Sequence, residues 1–130
     1  MIPGGALGLG PVLLVAAGGA VGSVLRYAVS VLAAAHLGAG FPWGTLAVNL
    51  LGSAAIGALV GHGLRDELRL LLVTGLLGGF TTFSAFSLEA GLLAERDGWW
   101  AAALYVGASL ALGLGAFAVC WRLARGTALG

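Results

Sequence analysis

The residues with the most chemical content lie in the segment 75–86, whose sequence is GLLGGFTTFSAF. It places paired glycines, three hydroxyl side chains and three phenylalanines within an otherwise apolar stretch. In a lipid bilayer every backbone polar group needs a partner within the protein, so helix-weakening sequence is tolerated only where it is buried or lines a cavity. We therefore predict that a membrane helix is broken here. The break would expose the carbonyls of residues 78–81, which suit a hard monovalent cation.

Asn49 is a second candidate, because it lies in the middle of the apolar segment GTLAVNLLGS. Thr45 lies one turn before it and Ser53 one turn after it, so all three share a helix face. An amide without a partner in hydrocarbon costs several kcal/mol. Asn49 therefore either hydrogen-bonds to another helix or donates an N–H to an anion or polar substrate.

Two charged residues fall inside apolar segments. Arg26 indicates a water-filled vestibule or a carboxylate partner, unless its side chain reaches the nearer membrane surface. Glu89 is the only carboxylate in the interior of a predicted span, and it either pairs with Arg26, lines a pore mouth or forms a purely structural ion pair. Tyr105 and Ser109 place two hydroxyls on one face of the last segment, where they either line a site or bond back to their own helix.

Phe83 and Phe86 are three residues apart, so on a helix that follows the break both rings project from one face. The edge of an aromatic ring is positive and its face is negative. Rings presented edge-on would tolerate a small anion without binding it as tightly as a full charge does. Asn49, Thr82 and Ser84 would add N–H and O–H donors.

The composition indicates a membrane protein. Of 130 residues, 60% are hydrophobic and 8% are charged, and the mean hydropathy is +1.06. Six arginines and no lysine give a net charge of +1, which provides no basic surface for nucleic acid. The sequence contains no nucleophile–base pair, metal-ligand cluster or phosphate loop after a strand, so we do not expect an enzyme. The single cysteine, Cys120, is interpreted as core filler.

At about 20 residues per span, the chain divides into four apolar segments and forms a single transmembrane domain over 1–130. The predicted spans are 11–35, 44–62, 67–95 and 99–122. The four tryptophans fall at span ends, where indole rings prefer the headgroup region. The start lacks a basic region and Pro11 suits a first helical turn, so we expect a retained first span and not a cleaved signal peptide. The arginines favour termini inside the cell only modestly, which permits insertion both ways.

Small residues recur at helical spacing on the first, second and fourth spans, and the fourth carries Gly107, Ala111 and Gly115. Such stripes let helix backbones approach closely, which drives helix association in membranes. Four short helices enclose little space by themselves. We therefore expect the all-α chain to form an oligomer.

Three segments together resemble the Fluc (CrcB) fluoride channels. They are GGAVGSVLRY at 18–27, PWGTLAVNLLGS at 42–53 and GLLGGFTTFSAF at 75–86, in the family's order and within its length. The resemblance implies an antiparallel, dual-topology dimer of four-helix subunits with two fluoride pores, in the plasma (inner) membrane of a prokaryote. It also implies a structural sodium ion between the subunits.

The resemblance assigns roles to individual residues. Asn49 resembles the pore asparagine, Phe83 and Phe86 the phenylalanines whose ring edges face fluoride, and Arg26 the vestibule arginine. The remaining assignments are Tyr105 and Ser109 as pore hydroxyls of the fourth helix and the carbonyls of Gly78 and Thr81 as sodium ligands. Two positions depart from the family pattern, since Ala85 replaces a threonine and Gly113 replaces a serine, and each departure removes a hydroxyl from the pore lining.

The predicted function is passive export of fluoride, with the lipid bilayer, fluoride, sodium and a second copy or a paralogous subunit as partners. A narrow pore must replace the water around this small anion with several hydrogen-bond donors while keeping each site weak. One alternative is a small multidrug antiporter, which needs a carboxylate midway along the first span to exchange protons. That span carries Arg26 and no acid. A non-transporting assembly subunit is the other alternative.

Overall fold

The computed structural model describes residues 7–130, and its regular structure is entirely helical. Residues 1–6, which the prediction of one domain over 1–130 includes, lie outside the described residues. The elements in chain order are α1 (Leu9–Leu37), α2 (Trp43–His62), α3 (Asp66–Leu68), a π-helical segment (Arg69–Leu77), α4 (Gly78–Phe80), α5 (Phe83–Asp97) and α6 (Trp99–Ala128).

Four stretches of this chain are long and apolar enough to cross a membrane. They are Leu9–Leu37, Trp43–His62, Asp66–Asp97 and Trp99–Ala128, and the third of them comprises all elements from α3 to α5. The prediction of four spans in an all-α chain is therefore confirmed. Pro11 lies in the first turn of α1, where the missing N–H costs no intrahelical hydrogen bond.

Glycines end three of the long helices. Gly38, Gly63 and Gly98 have φ angles of 83°, 86° and 92°, in the left-handed region that favours a residue without Cβ. Each glycine N–H bonds to the carbonyl four residues earlier, which closes the last turn. The connections that follow are short, and Gly98 alone joins α5 to α6.

The long helices associate mainly as two pairs. α2 packs along α6, and α1 packs along the π-helical segment and α4. Glycines allow the second pairing, because a Cβ on Gly22 would lie 2.9 Å from both the carbonyl carbon of Leu76 and the amide nitrogen of Phe80. Backbones of the two elements therefore touch directly, as small residues permit in membrane helices. α5 packs against α6 and connects the two pairs.

The third span changes its backbone geometry twice. The π-helical segment covers Arg69–Leu77, a rare geometry that is frequent at functional sites. Helix α4 ends at Phe80, after which Thr81 (φ −86°, ψ 158°) and Thr82 (φ −153°, ψ 125°) are extended. Helix α5 then starts at Phe83 with Thr82 as its N-cap, whose Oγ1 accepts from the N–H of Ala85 at 3.2 Å. Two residues thus separate α4 from α5.

The small-residue stripe on α6 makes no close contact within the described chain. A Cβ built on Gly107 or Gly115 meets nothing within 4 Å, and Ala111 between them is exposed. This face of α6 is therefore unused by packing among residues 7–130.

Candidate functional site

Asn49 holds the two extended residues between α4 and α5. Its Nδ2 donates to the carbonyl oxygen of Thr82 at 2.9 Å, and its Oδ1 accepts from the N–H of Thr82 at 2.8 Å. One side chain on α2 thus bonds to both backbone groups of Thr82, whose N–H has no helical partner because the residue is extended. A primary amide carries two N–H groups. Asn49 therefore acts as a bridge between helices and retains one N–H for another acceptor.

A groove with a volume of about 450 Å³ adjoins Asn49 between α2 and α6. We call it the α2–α6 groove. Its lining comprises Asn49, Ser53, Ile56, Phe83, Phe86, Ser109, Leu110, Gly113, Leu114 and Phe117. Asn49 and Ser53 come from successive turns of α2 and Ser109 comes from α6, and the aliphatic side chains and Phe117 continue the lining beyond them. The groove therefore combines a few hydrogen-bonding groups with apolar walls.

The rings of Phe83 and Phe86 both border this groove, as their spacing predicts. Their centroids are 5.6 Å apart with an interplanar angle of 42°. Phe83 is 78% exposed, whereas Phe86 packs against Tyr105 with a centroid distance of 5.3 Å. One ring is thus fixed in the core and the other lies open on the surface of the chain.

Ser109 contributes a buried hydroxyl to the groove. Its Oγ is inaccessible to solvent and has no hydrogen-bond partner among the described residues. A buried polar group without a partner is uncommon and costs stability. The hydroxyl is therefore unused by the described chain and lies in the wall of the groove.

Tyr105 and Glu89 form a separate polar cluster with Thr45. The hydroxyl of Tyr105 donates to Oε2 of Glu89 at 3.0 Å, and Oγ1 of Thr45 donates to Oε1 at 2.9 Å. Tyr105 is fully buried and Thr45 is 4% exposed. Thr45 was not predicted to belong to the site, although it lies one turn before Asn49 on the same helix face.

Glu89 also borders a smaller cavity of about 230 Å³, formed with the 38–42 connection, the first residues of α2, and the side chains of Ser30 and Arg96. Arg96 donates to the carbonyl of Gly40 in that connection and pairs with Asp97 at 2.7 Å. The structure thus places Glu89 beside a cavity, and its role at a pore mouth stays a prediction. Glu89 does not pair with Arg26, which was the alternative prediction, because its carboxylate accepts from the hydroxyls of Thr45 and Tyr105.

Arg26 instead reaches the third span. Its Nε donates to the carbonyl oxygen of Gly79 at 3.1 Å, and its side chain is partly buried. A guanidinium on α1 thus binds the backbone of α4, two residues before the extended segment. Arg26 therefore lies beside the same irregular backbone that Asn49 holds.

The hydroxyls of Thr82 and Ser84 lie together at the start of α5. Their oxygens are 3.3 Å apart, and the same Thr82 oxygen caps the helix by accepting from Ala85. Thr82 ends the extended segment, and Ser84 is the second residue of α5. Ser84 is exposed, so its hydroxyl is open to a partner outside the chain.

The carbonyls of Gly78 and Thr81 are suited to the cation that the resemblance implies. In a continuous helix these oxygens would accept from the N–H groups of Thr82 and Ala85. Those two N–H groups bond instead to the side chains of Asn49 and Thr82. Hard cations take oxygen ligands, and Gly78 is exposed on the outside of the chain. The backbone present therefore fits a monovalent cation.

Comparison with known sequences defines the class of this chain. The family described as CrcB-like protein, Camphor Resistance (CrcB), matches residues 13–121. The chain belongs to this family.

Individual relatives are similar over most of their length. A protein of Hyphomonas neptunium is 48% identical over 119 residues, which cover 87% of this chain and 94% of the relative. A protein of Rhizobium etli is 54% identical over 109 residues, which cover 80% of this chain and 87% of the relative. A protein of a Roseiflexus species is 50% identical over 108 residues, which cover 79% of this chain and 87% of the relative. All three are named fluoride-specific ion channel FluC.

Proposed function

We propose that this chain is a multi-pass membrane protein that conducts fluoride selectively and exports it from the cytoplasm by passive flow. The observation that carries the proposal is the α2–α6 groove, in which Asn49, the Ser109 hydroxyl and the two phenylalanines converge. Relatives at about half identity bear the name of a fluoride channel. A channel moves an ion without covalent chemistry, so the function needs no catalytic residues.

The chemistry of the groove suits a small, strongly hydrated anion. Fluoride entering the groove loses water, and it can recover hydrogen bonds from the second N–H of Asn49 and the hydroxyl of Ser109. The phenylalanine rings add positive edges without a full charge. These interactions are weak enough individually that the ion is released again, which conduction requires.

We further propose that two copies assemble in opposite orientations, giving two pores per dimer. The single chain leaves Phe83, Ser84 and Gly78 exposed, and a second subunit would enclose them. In this arrangement Thr81 and Thr82 form a break in the third helix at mid-membrane. A sodium ion at the dimer axis would be held by the carbonyls of Gly78 and Thr81, and its charge would offset the repulsion between facing helix ends.

The alternative, a proton-coupled multidrug antiporter, lacks its essential group. Such a protein needs a carboxylate on the first span, where this chain has Arg26 bound to the Gly79 carbonyl. The carboxylate within the third span, Glu89, has both oxygens engaged by hydroxyls of its own chain. The geometry therefore favours a channel. We place the protein in the plasma (inner) membrane of a prokaryote, as the family resemblance implies.

Reconstituted liposomes test this function. Protein in vesicles loaded with potassium fluoride or potassium chloride should release fluoride rapidly and chloride very slowly once a potassium ionophore is added. Chloride is larger and recovers less of its desolvation cost from a tight ring of donors. Ion-selective electrodes report both fluxes.

Phe83→Ile and Phe86→Ile, measured separately, show whether the rings act in conduction. Each change keeps apolar bulk and removes the positive ring edge, so fluoride flux should fall greatly while size-exclusion chromatography shows an unchanged assembly. Comparable fluoride and chloride fluxes in the parent protein would contradict the proposed function. Parental flux in both variants would contradict the role of the rings alone.

A further inference from the structure

Ser53 lies in the same groove as the pore residues but has no role in the function proposed above. It follows Asn49 by one turn on α2, and Asn49, Ser53 and Ile56 line the groove from that helix. The side chain is half-buried. Its hydroxyl is therefore positioned beside the path on which we place the ion.

Gly113 faces Ser53 from α6. A Cβ built on Gly113 would lie 3.8 Å from the Ser53 Oγ, and no other atom outside its own helix turn comes within 4 Å. Gly113 follows Ser109 by one turn, so the two residues line one face of α6. On that face a hydroxyl is present at Ser109 and missing at Gly113, and the Ser53 hydroxyl borders the gap.

We infer that Ser53 supplies from α2 the hydrogen-bond donor that α6 does not provide at Gly113. The path of fluoride would then run from Asn49 and the Ser109 hydroxyl to the Ser53 hydroxyl one turn further along α2. Ser53 is thus a pore residue that binds the ion or its accompanying water. This inference rests on the proposed function.

The burial of the Ser109 hydroxyl is a reason to expect a second hydrogen-bond donor close to it in the groove. Its Oγ is covered by neighbouring atoms and has no partner among the described residues, so an ion beside it would lose water on that side. A second hydroxyl one turn further along the groove would replace part of that lost hydration. Without it, the groove beyond Ser109 would present Leu110, Leu114 and Phe117.

An exchange of the hydroxyl between the two helices tests the inference in fluoride-loaded liposomes. Ser53→Ala should lower fluoride efflux by about three- to tenfold, the change expected when one hydrogen bond is lost at a barrier. Adding Gly113→Ser in the same chain should restore efflux to within about twofold of the parent, because space for the new side chain exists beside position 53.

Gly115→Ser in the Ser53→Ala background is the matched control. Position 115 lies on another side of α6, where a Cβ meets nothing within 4 Å, so a hydroxyl there should restore nothing. Ser53→Thr keeps the hydroxyl and should retain at least half of the parental efflux. Size-exclusion chromatography checks that each variant assembles.

The outcomes separate this inference from the proposed function. Loss of efflux in Ser53→Ala with rescue by Gly113→Ser and not by Gly115→Ser would support the exchange. The inference would be overturned if Ser53→Ala kept the parental efflux, if both glycine substitutions restored efflux equally, or if neither restored it. It would also be overturned if Ser53→Ala failed to assemble and was not rescued, since Ser53 would then serve packing. A parent protein that does not select fluoride would overturn the proposed function as well.

Discussion

A single amide organises the irregular part of the third span. Asn49 satisfies both backbone groups of Thr82, and the N–H of Ala85 is satisfied by the Thr82 hydroxyl. In an apolar setting these backbone groups cannot turn to water instead. The extended residues therefore depend on one side chain from a different helix.

Replacing Asn49 by Ala should destabilise the protein by about 1–3 kcal/mol, since the N–H of Thr82 would be left without a partner and its carbonyl would lose the bond from Asn49. Denaturant titration in detergent micelles, followed by intrinsic tryptophan fluorescence, measures the loss. Fluoride flux should fall with it, because the same amide lines the groove.

Thr127→Ala is the control for this prediction. The Thr127 hydroxyl donates to the Ala124 carbonyl at 2.9 Å in the exposed last turn of α6, where water can replace it. Its substitution should leave the free energy of unfolding nearly unchanged. An Asn49→Ala protein as stable as this control would mean that Asn49 does not support the extended backbone.

For single residues, the sequence predicted which polar side chains matter better than it predicted the groups to which they bond. Asn49 and Glu89 could be selected because an unpaired polar group in hydrocarbon is costly. Their partners depend on how the helices pack, which spacing along one helix does not determine. Thr45 was overlooked for this reason, and Glu89 bonds to Thr45 and Tyr105 instead of Arg26.

The third span is the element where prediction from sequence was weakest. Glycine pairs and hydroxyls indicated weakened helix at 75–86, and the structure has extended residues within that range. The π-helical segment at Arg69–Leu77 was not anticipated, because its sequence RLLLVTGLL reads as an ordinary apolar helix. Its geometry accompanies the close approach of α1, a tertiary contact that local propensity cannot report.

Two adjacent glycines on α1 offer a sharp test of that contact. A Cβ on Gly18 would lie 2.7 Å from the Leu76 amide nitrogen and 3.1 Å from the Gly75 carbonyl carbon. These are backbone atoms that cannot move aside, so Gly18→Ala should cost about 1–3 kcal/mol, as overpacking typically does. Thermal unfolding in detergent provides the comparison.

Gly19→Ala is its neighbour and control. A Cβ at position 19 has its nearest contact at 3.8 Å, from the Gly75 carbonyl oxygen, which is an ordinary van der Waals distance. This variant should be close to the parent in stability, with any gain coming from the better helix propensity of alanine. Equal effects at both positions would show that α1 does not pack on the third span as described.

For the whole molecule, orientation in the membrane is the property that the proposed dimer depends on. Arg96 and the 38–42 connection lie at one end of the bundle, since Arg96 donates to the Gly40 carbonyl. The end of α6, with Arg122 and Arg125, lies at the other. The arginines are divided between the ends, and such a weak bias is compatible with insertion in both directions.

Cysteine labelling in cells tests this. In a Cys120→Ala background, a membrane-impermeant maleimide should label only a fraction of Ala39→Cys molecules from outside, and permeabilisation should expose the rest. Thr127→Cys, at the opposite end, should show the complementary fraction. Complete labelling of one variant and none of the other would establish a single orientation and refute the antiparallel dimer.

The short connections have a consequence for the turnover of the protein. A protease must bind a stretch of extended chain, and such stretches are normally found in exposed loop tips. Here α5 and α6 are joined by Gly98 alone, and the connection before α2 is tied to Arg96 through Gly40. The connections between helices from Leu9 to Ala128 are one to five residues long, so a protease added to intact membranes should cut the folded protein slowly between its helices.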